Sequence, residues 1–178
     1  MARKVCVFCG SSDQALAEHL ELAEKLGQLL AEHQIEIIYG GGSTGSMGRL
    51  AVGALSRGGK VTGVIPQFMV TLEQAKTDLS TLIITSSMAE RKAKFFELAD
   101  TLIALPGGIG TLEEFVETVS LKKLGLYHGE IFLLNTDSFF NSLISFLKLS
   151  KSHGFISPQD FAIWKTVETP EQLIAQLI

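Results

Sequence analysis

The residues of this chain with the most chemical potential gather in two segments. The first is Met88-Ala89-Glu90-Arg91-Lys92, and the second is Leu105-Pro106-Gly107-Gly108-Ile109-Gly110-Thr111-Leu112-Glu113-Glu114. A guanidinium such as that of Arg91 binds a phosphate or a carboxylate through paired hydrogen bonds. Carboxylates in the first turn of a helix that follows a glycine loop lie beside whatever that loop holds. Each segment also has a plainer reading. Glu114 follows Thr111 by three residues, which is a capping-box pattern with Thr111 as N-cap. Arg91 and Lys92 equally suit solvated cationic heads on a helix surface. The pattern alone leaves both alternatives open.

Three segments are rich in glycine or hydroxyls: Gly10-Ser11-Ser12, residues 40–48 and residues 106–111. Glycine lets a backbone approach a ligand closely, and a following helix N-terminus offers free N–H groups and a positive dipole. Together they predict a phosphate cradle. Gly40-Gly41-Gly42-Ser43-Thr44-Gly45 matches G-x-G-x-x-G, but the next strand, ending at Val64-Ile65-Pro66, carries no acidic residue for a ribose hydroxyl. Gly45 is followed by Ser46-Met47, which also excludes a Walker loop.

The elements that must position these residues alternate along the chain. Short β-branched and aromatic runs predict strands at 4–9, 35–39, 61–65, 82–85, 101–105, 131–134 and 162–167. Helical spacing predicts helices from Leu16 to about Glu32, from near Ser46 to Gly58, over 87–98, from Thr111 to near Gly125, over 139–149 and over 170–177. Residues 67–80 fit neither pattern. Apolar strands without period-two alternation, separated by helices, predict an α/β doubly wound, Rossmann-like parallel sheet with helices on both faces. No linker or repeat divides the 178 residues, so a single domain over 1–178 is expected.

Composition narrows the function classes. With 46% hydrophobic and 19% charged residues, the chain is globular rather than disordered. A formal net charge of -4 gives no footprint for nucleic acid or an anionic membrane, although backbone dipoles still suit a small anion. The apolar stretch after Met1-Ala2-Arg3-Lys4 stops at Cys9-Gly10, too short for a secretory signal, and a cytoplasmic location is expected. Cys6 and Cys9 read as small apolar residues of a buried strand. His19, His33, His128 and His153 are scattered without ligand spacing, so no metal is expected.

The pairing of Met-x-x-Arg-Lys with Pro-Gly-Gly-x-Gly-Thr-x-x-Glu resembles the LONELY GUY (LOG) family of cytokinin-activating phosphoribohydrolases, long labelled "lysine decarboxylase-like". Val7-Phe8-Cys9-Gly10-Ser11-Ser12, Tyr39-Gly40-Gly41-Gly42, Gly45-x-Met47-Gly48, Gly63-Val64-Ile65-Pro66 and Leu133-Leu134-Asn135 extend the resemblance over nearly the whole chain. It implies a Rossmann-like homodimer without cofactor that cleaves the N-glycosidic bond of cytokinin riboside 5′-monophosphates, and possibly AMP, to free base and ribose 5-phosphate. Carried over by residue, Arg91 and Glu114 are the catalytic pair. Ser12, Gly42, Gly45, Glu73, Met88, Lys92, Gly107, Gly108, Gly110, Thr111 and Glu113 are the expected substrate-binding positions. The family often has His at the position of Ala89, Trp and Gln near Leu121 and Lys123, and Leu at Ser46. These departures bear on base preference more than on the reaction. The alternative is a nucleotide-binding sensor or carrier without turnover. A pyridoxal-dependent decarboxylase is disfavoured, because Lys92 alone among the lysines lies by the candidate site.

Overall fold

The computed structural model describes residues 3–178; Met1 and Ala2, from which the leader argument starts, lie outside them. The strands are β1 (Lys4–Phe8), β2 (Glu36–Tyr39), β3 (Val61–Pro66), β4 (Thr81–Thr85), β5 (Thr101–Ala104), β6 (Glu130–Leu134) and β7 (Lys165–Val167). The helices are α1 (Ala17–Glu32), α2 (Gly45–Ser56), α3 (Met88–Leu98), α4 (Ile109–Lys123), α5 (Asn141–Ser152), α6 (Pro158–Phe161) and α7 (Pro170–Leu177). One seven-stranded sheet runs β4-β3-β2-β1-β5-β6-β7, and all its pairs are parallel.

Both faces of the sheet are covered, which explains the unbroken apolar strands. Val5, Val7, Ile37, Tyr39, Ile103 and Leu134 turn to one face, where they meet Leu26, Leu30, Leu50 and Ala54 of α1 and α2 and Leu173 of α7. Cys6, Phe8, Ile38, Leu102, Ala104 and Leu133 turn to the other, where they meet Phe95 of α3, Phe115 of α4 and Trp164. This is the expected doubly wound single domain. Cys6 and Cys9 are buried and free, as members of the two opposite layers.

Three element starts differ from expectation by two residues or more, for identifiable reasons. Helix α4 begins at Ile109 behind an N-cap at Gly108, two residues ahead of Thr111. The run 162–167 is a strand only over Lys165–Val167, because Ser157 and Pro158 start the short helix α6, with the Ser157 hydroxyl accepting from Asp160 N–H at 3.0 Å. Helix α5 starts at Asn141 instead of 139, after Asp137 and Ser138 take positive φ of 53° and 61°. Residues 67–80 begin with a 3-10 turn, Gln67–Met69, and then lie over the strand ends through an antiparallel bridge between Gly42 and Ala75. Among the described residues, no helix is long and apolar enough to cross a membrane.

The chain builds outward from β1 to β4, then returns to β5 beside β1 and proceeds to β7. Strand order therefore reverses between β1 and β5. In open parallel sheets this reversal opens a crevice at the carboxyl ends of the strands, where ligands bind.

Candidate active site

The loops after β1 and β5 meet at that crevice. A Cβ on Gly107 would stand 2.2 Å from Thr111 Oγ1 and 3.1 Å from the Gly10 nitrogen, so the close approach of the two loops requires glycine there. Between and above them lies a cavity of about 330 Å³. Its walls come from the β1 loop (Cys9 to Ser12), Gly40, Met47, Met69, Glu73, Met88 and Arg91, and from α4 (Gly108 to Thr111, Glu113, Glu114).

The first turn of α4 faces this space. No side chain caps the helix. The N–H groups of an uncapped first turn are free, and with the helix dipole they form an anion site. Thr111 is 4% exposed and stands inside the helix, with its side chain over Gly107. The capping-box reading is therefore not met, because the N-cap falls at Gly108, three residues before Thr111. The Glu114 carboxylate is not tied to a cap.

The loop at residues 40–48 behaves differently from the cradle expected of it. The N-terminus of α2 is already occupied, since Gly45 N–H donates to Asp13 Oδ1 at 2.7 Å and Met47 N–H donates to the Gly10 carbonyl at 3.2 Å. Gly45 has φ +58° and lies against Ser11 so closely that a Cβ would meet its carbonyl carbon at 2.5 Å. Gly42 faces Met47 and the Glu73 backbone. Both glycines shape the wall from behind and do not line the cavity.

Arg91 is placed by the start of α3. The Ser87 hydroxyl accepts from Glu90 N–H at 3.2 Å, while the Glu90 carboxylate accepts from Ser86 N–H at 2.8 Å and from its hydroxyl at 2.7 Å. These bonds fix the turn that aims Arg91 at the sheet. Arg91 is 4% exposed, which overturns the solvated reading for this residue. Its Nε donates to the Val64 carbonyl at 3.0 Å and its Nη2 to the Gly40 carbonyl at 2.9 Å. Nη1 faces the sulfurs of Met69 at 3.7 Å and Met88 at 3.9 Å. Phe95 lies beneath, with its ring centroid 5.5 Å from the guanidinium carbon.

Two carboxyls share this environment. Glu73 is delivered by residues 67–80, which are held in place because Ser43 N–H donates to the carbonyls of Glu73 and Gln74 and Lys76 N–H donates to that of Gly41. Glu73 Oε2 stands 3.6 Å from Arg91 Nη2, and this buried oxygen has no hydrogen-bond donor. Burial raises the Glu73 pKa, and Arg91 opposes the rise. Glu114 is half-buried and forms no ion pair among the described residues. Burial of its carboxyl end pushes its pKa up to about 7; Arg91 and Lys92 pull down, while Glu113 and Glu73 push up. Arg91 thus acts on Glu114 through the field across the cavity and not by direct contact. Beneath them the Cys9 thiol is held neutral by burial.

Of the expected positions, Ser12, Glu73, Met88, Arg91, Gly108, Gly110, Thr111, Glu113 and Glu114 line one cavity, and Gly42, Gly45, Lys92 and Gly107 do not. Lys92 turns aside to Glu113 and Glu117, at 2.6 and 2.9 Å. Gly40, Met47 and Ile109 also line the cavity, from the loops expected to form the cradle, whereas Val7, Phe8, Cys9 and Met69 line it from outside the expected segments. Position at the carboxyl end of a strand would have found Phe8 and Cys9. Nothing in the irregular segment 67–80 marks Met69.

The family model described as "Possible lysine decarboxylase" matches residues 47–177. Over 175 residues the chain is 38% identical to the cytokinin riboside 5′-monophosphate phosphoribohydrolase LOG7 of Arabidopsis thaliana, covering 98% of this chain and 81% of that protein. It is 39% identical to the probable cytokinin riboside 5′-monophosphate phosphoribohydrolase LOGL5 of Oryza sativa subsp. japonica, covering 98% and 71%. Among solved structures, the molybdenum cofactor binding protein from the phototrophic bacterium Rippkaea orientalis superposes with a TM-score of 0.74 at 25% identity, over 99% of this chain and 96% of that one. The Moco carrier protein of Chlamydomonas shares the fold, with a TM-score of 0.73 at 20% identity, over 99% and 96%.

Proposed function

This chain belongs to the family of cytokinin riboside 5′-monophosphate phosphoribohydrolases, whose family model keeps the description of a possible lysine decarboxylase, and on that premise we propose that it hydrolyses the N-glycosidic bond of a nucleoside 5′-monophosphate. The substrate is a cytokinin riboside 5′-monophosphate, with AMP as a second substrate, and the products are free base and ribose 5-phosphate. One observation carries the proposal: an unpaired carboxyl, Glu114, shares a cavity with the buried Arg91 guanidinium and with the open N-terminus of α4.

The phosphate sits on the first-turn N–H groups of α4, which places the ribose toward Glu114. As the C1′–N bond breaks, its electron pair leaves with the base and the ribose acquires oxocarbenium character. The ionised Glu114 stabilises that charge and takes a proton from the water that adds to C1′. Glu114 then gives that proton up to solvent and the departing base nitrogen takes one from solvent, so that water is split between ribose 5-phosphate and the free base. Arg91 favours the ionised form of Glu114. The ammonium of Lys92, held by two carboxylates on α4, is not disposed for a pyridoxal Schiff base.

A homodimer is part of the same proposal. It is supported by Ile109, Leu112 and Val116, which form an exposed apolar stripe along α4 beside the cavity mouth. Light scattering should give twice the monomer mass, and a Val116→Lys substitution should shift the particle toward monomer.

The test is to incubate the protein, without added cofactor, with isopentenyladenosine monophosphate and with AMP. Chromatography should recover free base and ribose 5-phosphate in equal amounts. Nucleotide bound but returned intact would favour the second reading, a carrier or sensor, for which the likeness to a cofactor-binding protein gives a precedent.

A further inference from the structure

Sulfur gathers around the buried guanidinium. Met47, Met69 and Met88, which are all the methionines among the described residues, line the same cavity. Met69 Sδ stands 3.7 Å and Met88 Sδ 3.9 Å from Arg91 Nη1. The other nitrogens of Arg91 already have oxygen acceptors, the Val64 carbonyl on Nε and the Gly40 carbonyl on Nη2. Among the described residues Nη1 meets only the two thioethers, and a thioether is a weak acceptor. A buried, charged donor in that condition gains strongly from an oxygen that comes within reach. Met69 and Met88 are partly exposed, whereas Met47 is 5% exposed. A small oxidant from solvent therefore reaches the first two sulfurs more readily than the third.

We propose that Met69 and Met88 are a reversible modification site: hydrogen peroxide converts a thioether to a sulfoxide, whose oxygen accepts from Arg91 Nη1 and closes the cavity to nucleotide. The effect on turnover rests on the proposed hydrolysis; the modification itself does not. In the step, a sulfur lone pair attacks one peroxide oxygen, an S–O bond forms and the O–O bond breaks. Sulfur is oxidised by two electrons, and the other oxygen leaves as water with both peroxide hydrogens. The sulfoxide turns an apolar, flexible side chain into a polar one, and it persists until a methionine sulfoxide reductase returns the thioether with electrons from thiols. The Cys9 thiol in the same wall is a poorer target. Burial holds it and Cys6 neutral, and the thiolate is the reactive form.

The test treats the whole protein with hydrogen peroxide, removes the oxidant, restores thiols with dithiothreitol and reads the peptides by mass spectrometry. Met69 and Met88 should each gain one oxygen before Met47 does, and saturating AMP should slow both. AMP affinity and release of isopentenyladenine should fall together, roughly tenfold to a hundredfold, because the nucleotide must displace a charge-assisted hydrogen bond. Methionine sulfoxide reductase should restore both. The M69L/M88L variant, in which side-chain volume is conserved, should keep the affinity and activity of its own untreated state after the same treatment.

A parent in which Met47 gains oxygen as fast as Met69 and Met88, or in which AMP affinity survives oxidation of both, overturns the proposal. So does an M69L/M88L protein that peroxide disables as it does the parent. A further readout needs neither a variant nor turnover: the Arg91 guanidinium N–H resonances should move when the parent is oxidised. Resonances that stay in place overturn the proposed hydrogen bond, whether or not the parent hydrolyses any nucleotide.

Discussion

The two ends of the sheet use the same side chains to opposite effect. At the amino ends of the strands, Glu130 accepts from Lys165 at 2.6 Å and pairs with Arg3, whose other nitrogens reach the Leu177 carbonyl and Asp100. Those partners, Lys165 first and Arg3 with it, hold the Glu130 pKa below the usual carboxylate value. At the carboxyl ends, Glu114 has no ion-pair partner among the described residues and its burial pushes the pKa up to about 7. The partners of one glutamate favour its ionised form at the surface; burial of the other inside a cavity moves its proton exchange toward neutrality. Partner and solvent decide the difference, and a general base requires the second condition.

The sharpest way to break this comparison is to remove the proton-exchanging group. Glu114→Gln keeps the shape and removes the base, and base release should fall about 10³-fold or more. In the parent, kcat/KM should rise with pH through about 7, as Glu114 ionises, and level off above it. A rate independent of pH between 5 and 9 would detach Glu114 from the reaction.

Next in size is Arg91→Met. It removes the Arg91 donors to the Val64 and Gly40 carbonyls and leaves Glu73 without its cation, all in a buried site. Removing one partner of such a network costs about 3–5 kcal/mol, measurable by urea unfolding. A loss of less than about 1 kcal/mol would place Arg91 in solvent.

Glu114 should also weaken the fold at high pH. Its folded pKa lies above the unfolded value, so the native state holds the proton more tightly. Stability is therefore retained at low pH and lost as pH rises from about 4.5 to about 7. Glu114→Gln should accordingly be more stable than the parent at pH 8, by about 1–3 kcal/mol, with the advantage gone at pH 4. An advantage equal at both pH values would contradict the raised pKa.

The smallest effect belongs to the other end. The Glu130 pKa is lowered on folding, so its contribution is present above the unfolded value and is lost as pH falls through the folded one. Because Glu130 is 35% exposed and its partner Lys165 52% exposed, Glu130→Gln should cost no more than about 1 kcal/mol at pH 7, less in high salt, and leave base release unchanged.

Most of the framework was legible in the sequence because both faces of the sheet are covered, and continuous apolar runs bounded by Gly and Pro mark such strands plainly. The pairing of Arg91 with Glu114 came from the family resemblance, because the pattern alone left a helix cap for Glu114 and a solvated head for Arg91 open. What the sequence concealed was tertiary. Thr111 offered a capping pattern, but the chain starts α4 at Ile109, where glycine permits a tighter entry from β5. The glycines at 40–48 suggested an anion cradle, but Asp13, 32 positions away from Gly45, fills that helix N-terminus. Met69 reaches the site from a segment with no periodicity, whose place is fixed by tertiary contacts: the bridge between Gly42 and Ala75 and the bonds from Ser43 and Lys76 N–H. Adjacent Arg91 and Lys92 look equivalent in sequence, yet one points to the sheet and the other to α4.

The most direct measurement of the central claim is a single-turnover comparison of the parent and Glu114→Gln, both saturated with isopentenyladenosine monophosphate. The account predicts rapid release of isopentenyladenine from the parent, and from the variant undiminished nucleotide binding with release slowed about 10³-fold. Equal release from both proteins would show that Glu114 is not the group that carries the hydrolysis.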